Sequence, residues 1–396
     1  MNLPSETLDS GAILTRARAL VPRLRERAAE GERLRRLPDA TIKDATAAGI
    51  FWLLLPRSVG GAGGDLRDFV TLIRTLAQGD LSSAWTLGFL TAHSWLMARF
   101  PADVQQEAFG DGAPALMAFS ANPPGKAVPV PGGYEVTGYW GYCSGIMHAD
   151  WVVITAIIEG RDEVTLFLLH REDIDVQDTW YMAGLQGTGS NDVKLEQRFV
   201  PAHRTVDFDD LLGRRNPGAQ LHPETLYTYD ARSLLSFLFP SMAVGAAESL
   251  LEDYRGRLER RRAAFTKTLT GDTVSGQIRY ARAVSALRLA QAALDKTVEL
   301  TVQANASSPE TLSVELQAVL KLDCLSICRM AWESVEIILG GSGSSVFKTA
   351  DRTQHVMRDL HVLLSHMTID EDGMQAKAGE ILLGRATEAD PAKNFT

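Results

Sequence analysis

Several short stretches of this chain hold residue types that can do chemistry. Cys143-Ser144-Gly145 sits inside the run Gly138 to Trp151 and offers a thiol and a hydroxyl side by side. A hydroxyl donates and accepts hydrogen bonds while a thiol does both weakly, so Ser144 is the better holder of a polar ligand atom. Ser120, in Phe119-Ser120-Ala121-Asn122-Pro123, supplies another hydroxyl. His93, in Thr91-Ala92-His93-Ser94-Trp95, and His366, in Ser365-His366-Met367, add imidazoles. An unperturbed imidazole titrates near ~6.5, which suits proton transfer at neutral pH. Arg262, three residues before Phe265, carries a guanidinium matched to phosphate oxygens by paired hydrogen bonds. Gly184 to Gly189 and Gly340-Gly341-Ser342-Gly343 let backbone approach a ligand closely. Taken singly each is weak: a histidine in an apolar helix is more often a satisfied core residue, and a serine beside a glycine is often a plain turn.

Other chemistries fail on spacing. Phe51 to Leu55 followed by Gly60-Gly61-Ala62-Gly63-Gly64 imitates a strand feeding a dinucleotide loop, but Leu66 stands where Gly-x-Gly-x-x-Gly needs its last glycine. Pro56 also spoils the tight strand-to-helix turn, so a loop between two helices is expected. His355, His361 and His366 lack the i, i+4 spacing of a helical histidine pair with a glutamate between, and no metal site is expected. Gly187-Thr188-Gly189-Ser190 is not Gly-x-Ser-x-Gly, which argues against a serine hydrolase. Asp370-Glu371-Asp372 reads as a helix N-terminus.

These residues must be positioned by a sizeable scaffold. At 396 residues, 45% hydrophobic and 22% charged, the chain is globular, with room for two or three structural layers. A net charge of −9 argues against a nucleic-acid or anionic membrane partner. There is no run of about 18 apolar residues and no signal-peptide pattern, so no membrane span or secretory leader is expected. Three cysteines, Cys143, Cys324 and Cys328, fit a reducing cytoplasm, the last two as small core residues one helical turn apart.

Residues 1–113 read as helices, with Ser82-Ser83 capping an apolar helix from Ala84 to Phe100 that Pro101 stops. Residues 114–215 change character: Tyr134 to Thr137 alternates, and Trp151 to Ile158 and Val164 to Leu169 are apolar and β-branched between turn signals such as Pro131-Gly132-Gly133. From 216 to 396 the signal is helical again. Ser308-Pro309 opens a helix that runs to Leu339 and ends at Gly340-Gly341. Its second half is apolar on most sides, so a bundle and a further subunit are expected to cover it. Helices, strands and helices in separate blocks imply an α+β fold.

Arg262-x-x-Phe265, Gly340 to Gly343 and Arg358-Asp359, in that order, resemble the acyl-CoA dehydrogenase family. The resemblance spans nearly the whole chain, including Ala48-Gly49-Ile50 to Gly60-Gly61 and Gly79 to Trp85. It implies an N-terminal helical domain, a central β-barrel-like domain and a C-terminal four-helix bundle. Many members carry a glutamate nine residues after the Arg to abstract the α-proton of an acyl thioester, and here that position is Met367, preceded by His366. A flavin scaffold without that base resembles the two-component flavin monooxygenases built on the same fold. In that branch the strand against the flavin reads Trp, an aromatic, then Ser-Ser-Gly. Trp140-Gly141-Tyr142-Cys143-Ser144-Gly145 matches, with Cys143 in place of the first serine.

The resemblance implies that Ser144 faces flavin N5 with Cys143 beside it, and that Phe119 and Trp140 line the cofactor. It implies that a neighbouring subunit lends Arg262, Phe265, Gly341 and Gly343 to the flavin pyrophosphate. His366 is then the candidate base, with His93 and Ser120 as hydrogen-bonding partners, and Trp95 and Tyr142 as further walls. The activity implied is that of an oxygenase component using reduced FAD, or FMN, and dioxygen through a C4a-hydroperoxide to hydroxylate a small phenol or indole. A separate reductase would supply the flavin to a cytoplasmic homotetramer. Two alternatives share the fold: an acyl-CoA dehydrogenase with a relocated base, and a flavin N-oxygenase of an amino sugar. A non-catalytic helical scaffold would have no need of Arg262, Phe265 and the glycine turn in this order.

Overall fold

The computed structural model describes residues 8–263, 265–307 and 312–385. Among them the chain runs through helices α1 (Ser10–Leu34), α2 (Asp39–Ala48), α3 (Leu66–Ala77), α4 (Leu81–Met97) and α5 (Ala102–Phe109). Strands follow: β1 (Met117–Val130), β2 (Gly133–Trp140), β3 (Trp151–Ile158), β4 (Val164–His170), β5 (Asp175–Gln177), β6 (Asp192–Pro201) and β7 (Thr205–Asp207). Short helices α6 (Phe208–Leu212), α7 (Gly218–Leu221) and α8 (Ala231–Leu235) lead to α9 (Leu238–Arg260), α10 (Val274–Ser307), α11 (Val314–Ser342), α12 (Arg352–Leu364) and α13 (Glu371–Leu382). The expected α+β order of helices, strands and helices is what the chain adopts.

Helix ends differ from the sequence reading where a side chain outcompetes the expected cap. α4 starts at Leu81, because Asp80 Oδ2 takes both the N–H and the O–H of Ser83 at 2.7 Å, the bonds of an N-cap. α11 passes through Gly340-Gly341 and stops at Gly343, whose φ of +72° no helix continues. The Ser308-Pro309 start lies outside the described residues, and Ser313 caps α11 through the N–H of Leu316. Asp370 caps α13 as expected, accepting from Gly373 N. One segment, 231–260, is long and apolar enough to cross a membrane, which the sequence reading missed; 78% of its most apolar window is buried.

The chain divides into two compact units. The first comprises Met1–Leu72, Trp85–Met182 and Gln186–Leu235. It holds a seven-stranded sheet in the order β5-β6-β2-β1-β3-β4-β7, with β1 and β3 parallel and the other pairs antiparallel. Phe119 and Ser120 pair with Val153 and Ile154, after which the register shifts until Gly125. That irregularity frees the chain around Asn122-Pro123-Pro124 from the ladder directly after Ser120. Arg99 shows why 211–229 belongs to this unit. Its guanidinium is fully buried and donates to the carbonyls of Leu211, Leu212, Gly213 and Tyr229. Burial lowers its pKa to about 9.

The second unit comprises Ile73–Ala84, Ala183–Leu185 and Ser236–Thr396. α9, α10 and α11 pack on one another and α13 packs on α11 through Ala318, Ala378 and Ile381. Glu248 of α9 gathers Arg74, Gln78 and Gln291, and Arg352 of α12 joins Asp253, Ser249 Oγ and the Gln78 carbonyl. These bonds fix the Ile73–Ala84 segment on the bundle.

Candidate active site

In the first unit the expected site residues gather where β1 meets the turn after β2. Tyr142 has a φ of +57°, a conformation that side chains rarely adopt, and its N–H is held by Asp192 Oδ1 at 3.1 Å. Asp192 Oδ2 takes the Tyr139 hydroxyl at 2.7 Å. This turn swings the Tyr142 ring outward, 70% exposed, with Trp180 edge-on at 6.0 Å. Cys143 points the opposite way: it is fully buried, and burial pushes its thiol pKa up. Ser144 then bridges back to Phe119 of β1.

Ser144 is the centre of a buried polar chain. Trp85 Nε1 lies 2.9 Å from Ser144 Oγ, Ser144 Oγ lies 3.0 Å from Ser190 Oγ, and Ser190 Oγ lies 3.0 Å from Thr188 Oγ1. Ser120 O–H donates to the Gly141 carbonyl at 2.6 Å, tying β1 to the same turn. His93 lies against this strand. Its Nδ1 is 3.2 Å from the Met117 carbonyl, and its ring meets Phe89 at 5.3 Å and Phe119 at 5.7 Å. A carbonyl only accepts, so Nδ1 carries the proton and Nε2 the lone pair. Burial lowers the His93 pKa to about 4, so the ring is neutral at pH 7.

Trp140 is not at this site, contrary to the sequence reading. It is fully buried in the sheet, its indole N–H donates to the Thr155 carbonyl at 2.8 Å, and Gly125 and Gly138 make the room for its ring. Trp95 is likewise a core residue, packed on Tyr227 and Arg99. Trp85, Ser190 and Thr188 were missed as site residues. Their stretches were noticed, but nothing in one sequence says that residues 59 and 46 positions from Ser144 meet it.

In the second unit His366 caps the short turn Met367–Ile369. Its Nδ1 accepts the Thr368 N–H at 3.2 Å and lies 2.9 Å from Thr368 Oγ1, and its ring stacks on Phe239 at 4.6 Å. A backbone N–H only donates, so here Nδ1 holds the lone pair and Nε2–H is the donor. Burial, with Lys321 nearby, lowers its pKa to about 4. In this tautomer the base role expected of His366 would need Nε2 to give up its proton first. Met367 is 56% exposed.

Arg262 donates to the Lys267 carbonyl at 2.8 Å and Phe265 is 97% exposed. Its neighbour Arg261, which the sequence reading passed over, is the one that reaches the glycine turn, donating to the Ser342 carbonyl beside Gly343. A cleft of about 570 Å³ opens alongside, lined by Arg257, Arg260, Arg261 and Arg352 with Asp253 and Asp351. Gly341 has an internal reason to be glycine, since a Cβ there would lie 2.2 Å from the Tyr254 hydroxyl.

The described residues thus present a helical N-terminal segment, a mixed sheet with a polar turn and a helical bundle with an arginine-lined cleft. The family description "Acyl-CoA dehydrogenase, N-terminal domain" matches residues 9–112, and "Acyl-CoA dehydrogenase, C-terminal domain" matches residues 237–371. The chain is 31% identical to the oxygenase subunit of a flavin-dependent monooxygenase from Rhodococcus jostii, over 91% of this chain and 95% of that one. It is 26% identical to the oxygenase component of an FADH(2)-dependent resorcinol hydroxylase from Rhizobium sp., over 96% of each. The crystal structure of 3-HSA hydroxylase from Rhodococcus sp. RHA1 superposes with a TM-score of 0.88 at 29% identity, covering 96% of this chain and 98% of that one. The chain belongs to the acyl-CoA dehydrogenase-fold family, in its branch of two-component flavin-dependent monooxygenase oxygenase subunits. It is an oxidoreductase that uses reduced flavin, and as an oxygenase component it works with a separate flavin reductase.

Proposed function

We propose that this chain hydroxylates a small aromatic compound bearing a ring O–H or N–H, of phenol or indole type, with reduced FAD as its cofactor. The observation that carries this reading is the cluster of Ser144, Ser120, Phe119 and His93 at one turn, polar groups set against aromatic rings. The relatives that act on resorcinol and 3-HSA support an aromatic substrate. Reduced flavin, when bound, supplies the two electrons with which dioxygen is split between the ring and water.

The chain's own residues supply placement. Ser144 takes the flavin N5–H as hydrogen-bond acceptor. Phe89, Phe119 and the exposed Tyr142 ring exclude water from the reacting atoms. His93 Nε2, the free lone pair of a neutral ring, accepts from the substrate O–H or N–H and raises the electron density of the ring carbon beside it. Ser120 has committed its proton to Gly141 and offers only lone pairs. Cys143 is backing, not a ligand.

Arg262, Phe265 and the Gly341–Gly343 turn of a neighbouring subunit, with its Arg261 and Arg260 adding positive charge at the cleft, would meet the FAD pyrophosphate, which favours FAD over FMN. Exposed Val274, Ile278 and Leu289 on α10 and Val319 on α11 support a homotetramer that covers them. Three buried free cysteines support a cytoplasmic setting.

The test is stopped-flow absorbance on protein loaded with reduced FAD and mixed with oxygenated buffer. A long-lived species absorbing between the ultraviolet and visible flavin bands is expected, its decay quickened by a phenol or an indole. Immediate oxidation without it, together with bleaching of oxidised FAD by an acyl-CoA, would replace this reading with a dehydrogenase whose base has moved.

A further inference from the structure

Hydrogen-bond direction along the chain Trp85–Ser144–Ser190–Thr188 can be counted proton by proton. The indole N–H of Trp85 has no lone pair to offer, so at 2.9 Å it donates to Ser144 Oγ and occupies one of its two lone pairs. Ser190 Oγ donates to Thr188 Oγ1 at 3.0 Å, which spends its only proton. The 3.0 Å contact between Ser144 and Ser190 must therefore use the proton of Ser144. One group remains on Ser144: a single lone pair. All four residues are buried, so water does not reset this order.

We infer that Ser190 and Thr188 are positioning residues that make Ser144 an acceptor only, with the Trp85 N–H filling one of its two lone pairs, and that this sets the redox state of the flavin the protein prefers. The inference rests on the proposed contact of Ser144 with flavin N5. In reduced flavin N5 carries a hydrogen and donates. In oxidised flavin N5 is a bare acceptor, and a lone pair facing it gains nothing and repels. A serine free to rotate would serve both states, since a hydroxyl is donor and acceptor in turn. A serine whose proton is drawn into a buried relay serves the reduced state. For an enzyme that receives its flavin already reduced and must release it oxidised, this helps capture at one end of the cycle and discharge at the other.

The experiment is anaerobic titration of the full-length protein with reduced FAD, and aerobic titration with oxidised FAD, each read by flavin absorbance and fluorescence. Wild type is expected to bind reduced FAD more tightly by about tenfold or more. Ser190→Ala removes the acceptor that draws the Ser144 proton, which can then turn to oxidised N5. That variant is expected to narrow the reduced-to-oxidised ratio by roughly fivefold, the worth of one hydrogen bond. Thr188→Val acts one link further along, leaving Ser190 free to donate to Ser144, and is expected to narrow the ratio in the same direction; it is the second variant should Ser190→Ala fold poorly. Trp85→Phe leaves the proton order intact and is expected to keep the ratio within about twofold. No preference in wild type, or a ratio unchanged in both relay variants while Ser144→Ala lowers it, overturns the relay and leaves the Ser144–N5 contact standing. Ser144→Ala with both affinities unchanged overturns the contact itself.

Discussion

Asp359 Oδ1 accepts the N–H of Leu185 at 2.7 Å, and Leu185 sits at a φ of +50°, a strained conformation for a leucine. The other oxygen of Asp359 is 3.3 Å from His355 Nε2, which lies 3.4 Å from Asp80. Next to it Arg358 donates to the Ala183 carbonyl at 2.7 Å, and its own carbonyl leaves Gly184 no room for a Cβ. The Arg358-Asp359 pair thus clamps the backbone of Ala183–Leu185.

Asp359→Ala is expected to leave the buried Leu185 amide without its acceptor and to cost about 1–3 kcal/mol of stability. Asp359→Asn keeps an acceptor oxygen and should cost clearly less. Thermal unfolding of both variants decides it; equal losses would mean that the charge beside His355, not the amide bond, is what Asp359 supplies.

Gly341→Ala is expected to destabilise by about 1–3 kcal/mol, because the new methyl group would meet the Tyr254 hydroxyl 2.2 Å away. Adding Tyr254→Phe should recover part of that loss. If the double variant is no more stable than Gly341→Ala, the clash is not the reason for the glycine.

Glutamine places an N–H donor where His366 has Nε2–H, whereas asparagine matches only the position of Nδ1, where His366 holds a lone pair. His366→Gln should retain turnover within about tenfold, and His366→Asn should lose roughly a hundredfold, of the order of a misplaced acid–base partner. Equal large losses in kcat for both would restore a general-base role for His366.

His93 carries a pH signature of defined sign. Its folded pKa, about 4, is below the unfolded value of 6.5, because burial disfavours the imidazolium. Between those values the unfolded chain binds a proton that the folded chain refuses. The stability that neutral His93 provides is therefore present above pH 6.5 and lost progressively down to about pH 4, with nothing further lost below that. The full swing is on the order of 3 kcal/mol. Melting temperature followed from pH 7 to 4 should fall less steeply in His93→Gln than in wild type; parallel profiles would count against a buried, neutral His93.

Much was legible in the sequence because it is written locally. An apolar, β-branched run between turn signals places Trp151–Ile158 as a strand to the residue, and acidic residues at 370–372 mark a helix start. The order of Arg262, the glycine turn and Arg358-Asp359 along the chain points to the family. The preference for Ser144 over Cys143 is an expectation from residue type, resting on what a hydroxyl can do that a thiol does only weakly.

Tertiary structure alone decided how those groups work. Which ring nitrogen of His93 or His366 carries the proton depends on whether its neighbour is the Met117 carbonyl or the Thr368 N–H. Whether Trp140 faces a ligand depends on two glycines, one on its own strand and one across the sheet, that let it turn inward. Whether Arg261 or Arg262 reaches the glycine turn depends on the backbone leaving α9. Residue type limits the bonds a side chain can make, and neighbours distant in the chain settle which of them it does make, because the direction of a hydrogen bond and the loss of water are properties of a contact and not of a residue.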